Sequence, residues 1–91
     1  MFRSDRYLAR VRSRPCCFCY LPGPSDPHHY RGPKGMAIKP SDAFTVPLCR
    51  LHHDEFHRSG KLGDMTRAQT MGMFDGVAVF LLAAYVEEIE R

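Results

Sequence analysis

Ninety-one residues with a formal net charge of +3 are enough for one domain, and a small one. A chain this short buries only about 60–65% of its unfolded surface, so a metal, a disulfide or a partner subunit commonly completes its stability. Residues 1–15 lack the apolar stretch of a secretory signal, and the longest apolar run, 77–86, has ten residues, about half of what a membrane span needs. The expectation is therefore a cytoplasmic protein away from membranes, where cysteines serve as metal ligands more often than as disulfides.

Charge is unevenly distributed. Residues 1–67 hold 12 of the 13 Lys/Arg and 6 of the 10 Asp/Glu, a net +6, while residues 68–91 carry a net −3. A basic front with Arg3, Arg6, Arg10, Arg12 and Arg14 suits a polyanion. Charge alone fits a solvated, Arg-rich helix face equally well.

Taken in chain order, residues 4–12 read as a basic helix capped by Ser4, with Tyr7, Leu8 and Val11 on one face. Pro15 ends it and opens the knuckle Cys16-Cys17-Phe18-Cys19. Residues 21–27 hold four prolines and glycines, too many for a helix or an interior strand. His28-His29-Tyr30 is a short extended segment, and a turn-rich loop follows to Asp42. A second extended segment, 44–48, has β-branched residues that favour a strand and a Pro47 that favours an edge. From Cys49 to about Arg58 the pattern is helical, and Ser59-Gly60 stops it. Thr66-Arg67-Ala68-Gln69 is a capping box for a short helix that Gly72 ends. Asp75 caps a last helix from Gly76 to about Glu90. That helix is apolar all round from 77 to 86, so it is either deeply buried or part of a subunit contact.

Two constellations carry chemistry. Cys16-x2-Cys19 and Cys49-x2-His52 each place two soft ligands on a tight turn, and together they make a tetrahedral Cys3His set, the pattern of a structural zinc site. The alternative is buried thiols beside a surface histidine. Cys17 has the wrong spacing to Cys19 and reads as a spare thiol. The second constellation is His28-His29 with His53 and His57. His53 and His57 are four apart and share a helix face. His52 and His53 are about 100° apart around the helix, so neighbours in sequence serve different metals. His52 turns back to the knuckle, while His53 and His57 face the extended segment with His28 and His29. Polar histidines scattered on a surface are the alternative, which five of five histidines in ligand spacing weakens.

The string V-R-S-R-P-C-C-F-C … D-P-H-H-Y-R-G … K-P-S-D-A-F-T-V-P-L-C-R-L-H-H-D-E-F-H-R-S-G resembles the HNH (ββα-metal) endonucleases. It is most similar to a phage and bacterial branch that includes the recombination-enhancement nucleases. The resemblance implies an α+β fold in residues 16–60, a β-hairpin and helix clasping one divalent ion, flanked by a basic N-terminal helix (1–15) and C-terminal helices (61–91). It implies His28, His53 and His57 as ligands of a catalytic divalent ion, and His29 as general base. The family's middle Asn falls at Phe44, which cannot hydrogen-bond the base. Asp42 and Thr45 are the nearby polar candidates for that role, and Asp42 is preferred.

A phosphodiester repels nucleophiles through its anionic oxygens, so such an enzyme makes hydroxide and neutralises charge. A neutral imidazole, with an unperturbed pKa of about 6.5, can take a proton from water near neutral pH. All-nitrogen ligation suits Zn2+, Ni2+ or Mn2+ at least as well as Mg2+. Arg31, Lys34, Arg50 and Arg58 flank the histidines as candidate phosphate contacts. No element resembles a base-reading helix, so DNA is the expected partner with weak sequence preference. A homodimer through the last helix is also expected. Two other readings use the same residues: a non-catalytic zinc-stabilised DNA-binding module, and a zinc scaffold for protein contacts.

Overall fold

The computed structural model describes residues 2–31 and 41–90. It is α+β, with α1 (Asp5–Arg12), β1 (Asp26–His29), β2 (Thr45–Leu48), α2 (Arg50–Ser59) and α3 (Arg67–Ile89) in chain order.

Helix α1 starts where expected: the Ser4 hydroxyl accepts the Tyr7 N–H at 3.0 Å, satisfying one of the unpaired donors at the helix start. Its buried residues, Tyr7 and Val11, are one turn apart and pack on Leu81 and Tyr85 of α3. The Tyr7 and Tyr85 rings meet edge-on at 5.0 Å. Outside this contact, Arg10 pairs with Glu88.

β1 and β2 are antiparallel, with His28 opposite Val46 and His29 opposite Thr45. Pro27 faces Pro47. A two-stranded sheet accepts both prolines because each strand has an open edge, where a missing N–H removes no ladder bond. β2 is buried along its whole length because all three helices pack on this strand pair. α2 is flanked by Cys49 at its N-cap and by Gly60 at its C-cap, whose left-handed φ of 74° closes the C-terminus with an N–H bond of 2.7 Å to the Phe56 carbonyl.

The C-terminal region departs from the sequence expectation. Instead of one helix ended by Gly72 and another capped by Asp75, α3 runs unbroken through both positions. Glycine ends a helix only where the chain turns left-handed, and Gly72 stays helical. A mid-helix glycine costs about 1 kcal/mol relative to alanine. Burial of Thr70, Phe74 and Ala78 along one side of α3 outweighs this, since a single large apolar side chain is worth about 1.5–3 kcal/mol. Asp75 does not cap: its Oδ1 accepts the Tyr30 hydroxyl at 2.7 Å. The capping box at the true start is complete, with Thr66 and Gln69 bonding each other's backbone N–H.

α3 is thus 23 residues long, and its most apolar 18-residue stretch has a mean hydropathy of 1.4, so it is long and apolar enough to cross a membrane by length and composition alone. Within the chain, the expected deep burial holds for only part of it. Thr70, Phe74, Ala78, Leu81 and Tyr85 are buried, whereas Val79, Phe80, Val86 and Ile89 are exposed. The main core gathers Cys16, Tyr30, Val46, Leu48, Cys49, Leu62, Phe74 and Ala78, and Val77 touches both this core and the α1–α3 contact.

Candidate functional site

The cysteine knuckle, strand β1 and helix α2 bring together two metal-competent clusters. The first is Cys16, Cys19, Cys49 and His52, whose ligand atoms all lie within 4.8 Å of one another. The knuckle is a backbone turn: the Tyr20 N–H bonds the Cys16 carbonyl at 2.9 Å, and the Cys16 N–H bonds the Leu21 carbonyl at 3.0 Å. Closing it puts Tyr20 in the left-handed region, φ 63°. Cys49 is the N-cap position of α2 and His52 sits in its first turn, so the helix start itself sets the second pair. The Cys19 and Cys49 sulfurs are 3.8 Å apart. That matches the spacing of about 3.8 Å for two sulfurs each about 2.3 Å from one tetrahedral ion. His52 Nδ1 lies 3.1 Å from the Cys49 sulfur and 3.9 Å from that of Cys16.

The electrostatics also ask for a cation. Burial opposes ionisation of Cys16, but backbone hydrogen bonds from Cys19, Cys49 and Phe18 outweigh it and bring the thiol down to about 7. Burial and the neighbouring Cys16 and Cys19 sulfurs push Cys49 up. Three thiols this close cannot all ionise unless a positive charge sits among them. Cys17 stands outside the ligand set, packed on the core, and burial followed by the Cys16 charge pushes it up to about 12. It is the spare thiol that its spacing indicates.

The second cluster is His28, His53 and His57, again with ligand nitrogens within 4.8 Å. His53 and His57 project from one face of α2, with their Nε2 atoms 3.2 Å apart. Two nitrogens about 2.0–2.1 Å from one ion lie about 3.0–3.4 Å apart, depending on geometry. His28 reaches them from β1, its ring 5.1 Å from that of His53 and 5.5 Å from that of His57. Phe56 and Phe74 pack against the same ring at 5.0 and 5.6 Å. The buried Nε2 of His28 has no hydrogen-bond partner among the described residues, a state that costs about 1–3 kcal/mol unless a ligand satisfies it. Burial, then the charges of His53 and His57, pull His28 down to about 4, so it is a neutral lone-pair donor at physiological pH.

His29 does not join this cluster. Adjacent strand residues point to opposite faces, and His29 instead bonds Asp42, with Nε2 2.8 Å from Oδ1. Asp42 is buried, and its other oxygen accepts the Ser4 N–H at 2.7 Å. Burial pushes the Asp42 carboxyl up, but the Ser4 N–H, His29 and Arg3 together hold it below the ordinary carboxylate range. An ionised Asp42 makes His29 Nε2 the donor and leaves Nδ1 as the acceptor. Of the two polar candidates near Phe44, Asp42 is the one that reaches His29. Thr45 is fully buried and its hydroxyl bonds nothing among the described residues. His29 and Asp42 open into a cleft of about 360 Å³ lined also by Arg3, Ser4, Asp5 and Leu8.

Among the expected phosphate contacts, Arg31 and Arg58 are exposed. Arg50 is exposed too, but its guanidinium pairs with Asp26 at 3.3 Å and Asp54 at 2.9 Å. Lys34 lies outside the described residues. Sequence reasoning missed Asp26, whose Oδ2 is 3.0 Å from His53 Nδ1. Its signal was available, since Asp26 and His28 are two apart on a strand and share a face. It also missed the Phe2–Ser4 segment behind Asp42. No local pattern encodes that contact, which spans 38 residues.

Fold and site define a small α+β protein with two side-chain clusters able to hold metal ions. The chain belongs to the family described as "Protein of unknown function (DUF968)", whose model matches residues 1–66. Both clusters fall inside that stretch, and α3 falls outside it. The chain is similar to "Uncharacterized protein YdfU" of Escherichia coli (strain K12), 44% identical over 55 residues, or 58% of this chain and 16% of that protein. No solved structure matches it significantly.

Proposed function

We propose that this protein is a metal-dependent DNA endonuclease of the HNH type, hydrolysing phosphodiester bonds with little sequence preference. One observation carries the reading: three imidazoles converge on a common point, and the residue next to one of them forms a His–Asp pair at an open cleft. The order β1, β2, α2, with histidines on the first strand and the helix, is the order that the HNH resemblance implies. The net +6 of residues 1–67 suits a polyanionic substrate.

His29 acts as general base: Asp42 fixes the ring through Nε2–H, and Nδ1 accepts the proton of the attacking water. His28, His53 and His57 hold a divalent cation. When bound, that ion supplies positive charge at the scissile phosphate and the leaving oxygen. Arg31 and Arg58, with Lys34, contact flanking phosphates, while Arg50 acts mainly within its own carboxylate pairs. Cys16, Cys19, Cys49 and His52 hold a structural zinc that joins the knuckle to α2. The exposed side of α3 pairs two copies of the chain.

The test is nicking of supercoiled plasmid across Mg2+, Mn2+, Ni2+ and Zn2+. The parent nicks with at least one of them. His29→Ala lowers the rate by about 10²–10⁴-fold while zinc content and DNA affinity stay at parental values. His57→Ala also loses activity but recovers part of it at high metal concentration. A parent that binds DNA yet cuts it with no divalent ion makes the chain a zinc-stabilised DNA-binding module instead.

A further inference from the structure

We propose that Asp26 is a positioning residue, whose carboxylate holds His53 in the one tautomer and ring orientation that turn Nε2 toward His28 and His57. The proposal rests on the divalent-ion reading of those three histidines.

The geometry is direct. Asp26 Oδ2 lies 3.0 Å from His53 Nδ1. A carboxylate can only accept, so Nδ1 carries the hydrogen and Nε2 carries the lone pair. That Nε2 is the atom 3.2 Å from His57 Nε2. Without a carboxylate at this place, the ring is free to protonate Nε2 or to rotate, and either removes a ligand.

Asp26 is itself held. Arg50 Nη1 sits 3.3 Å from the same Oδ2, and Arg50 Nη2 reaches Asp54 Oδ1 at 2.9 Å. The chain Asp54–Arg50–Asp26–His53 thus runs from the exposed side of α2 back to the cluster. It accounts for Arg50 better than a phosphate contact does. The strand supplies the rest: Asp26 and His28 are two residues apart in β1, so one strand face presents a ligand and the group that orients a second ligand. Outer carboxylates of this kind set the tautomer of metal-binding histidines, and their loss commonly weakens metal affinity about 10–100-fold.

The experiment is a cobalt(II) titration of the zinc-loaded full chain, followed by absorbance, with thiolate charge-transfer bands reporting any exchange at the cysteine cluster. The parent binds one further cobalt ion. Asp26→Ala binds it about 10–100-fold more weakly, with zinc content and melting temperature unchanged. Asp26→Asn, whose amide oxygen still accepts from Nδ1–H, stays close to the parent, a rescue that loss of a merely structural ion pair would not give. Nitrogen NMR of the imidazoles is a second readout: His53 is the Nδ1–H tautomer in the parent and a mixture in Asp26→Ala. Cobalt binding by Asp26→Ala at parental affinity, or equal losses in the Asn and Ala variants, overturns the role of Asp26 alone. A parent that takes up no second metal ion overturns the divalent-ion reading beneath it.

Discussion

His28 shows how a single residue can be kept against the interest of the fold. Its ring fits among Phe56, Phe74, His53 and His57, but its buried Nε2 bonds nothing among the described residues. His28→Leu keeps a similar volume and removes that unsatisfied atom. Without added divalent ion, this variant is therefore expected to equal or exceed the parent in denaturant stability by about 1 kcal/mol, while losing the second metal ion. The pH dependence follows from the same burial. His28 is held down to about 4 when folded, against 6.5 as a free side chain. Between those values the unfolded chain binds the extra proton, so stability falls as pH drops from about 6.5 to about 4 and is insensitive to this group below that. Stability curves of parent and His28→Leu over this range give the test, because the cysteine cluster is common to both. A parent slope no steeper than that of the variant refutes the assignment.

At the scale of elements, the knuckles and α3 obey different rules. The residues of the cysteine cluster come from a tight turn and a helix start, neither of which has a core of its own. An ion held there would supply a large part of the folding free energy. Chelation of the proposed zinc should abolish the circular dichroism signal of the helices, and Cys16→Ser and Cys49→Ser should behave as folding mutants. Cys17→Ala should keep full metal content, since its thiol is not a ligand. A metal-free protein with an unchanged spectrum contradicts the prediction.

For α3 the prediction concerns its two mid-helix glycines. A Cβ added at Gly72 or Gly76 meets nothing within 4 Å. Gly72→Ala and Gly76→Ala are each expected to stabilise the protein by about 0.5–1 kcal/mol, because alanine restricts the unfolded chain and suits a helix. If Gly72 were a terminator, alanine there would destabilise. Gly60→Ala is the internal control: its φ of 74° and the Arg67 guanidinium 2.5 Å from the added Cβ make that change unfavourable.

At the scale of the whole molecule, α3 keeps an apolar side that packing among the described residues does not cover. Val79, Phe80, Val86 and Ile89 are exposed on α3, and Val79 and Phe80 are each about two-thirds accessible. A contiguous apolar surface left exposed usually marks a contact. Under the proposed assembly it is buried between two copies related by a two-fold axis, which also gives two nicking sites per particle. Light scattering should report a dimer at micromolar concentration, and Phe80→Glu should yield a folded monomer with intact metal content. A monomeric parent removes the idea without touching the metal sites.

Much was legible from the chain alone, for an identifiable reason. Ser4, Thr66 and Gly60 act through backbone groups within a few residues, so their roles as caps are local. The candidate ligand pairs Cys16/Cys19, Cys49/His52 and His53/His57 are likewise set by turn and helix periods, and the structure brings them together as spacing indicates. Tertiary packing decided the rest. Whether Gly72 and Asp75 punctuate α3 depends on Phe74 in the core and on the Tyr30 hydroxyl, neither visible in the local pattern. Which polar residue meets His29, and which carboxylate meets His53, depends on contacts spanning 13 and 27 residues. Local rules specify which atoms can be ligands, caps or bases. Only the folded chain specifies which of them face each other, because that follows from the burial of side chains distant in sequence.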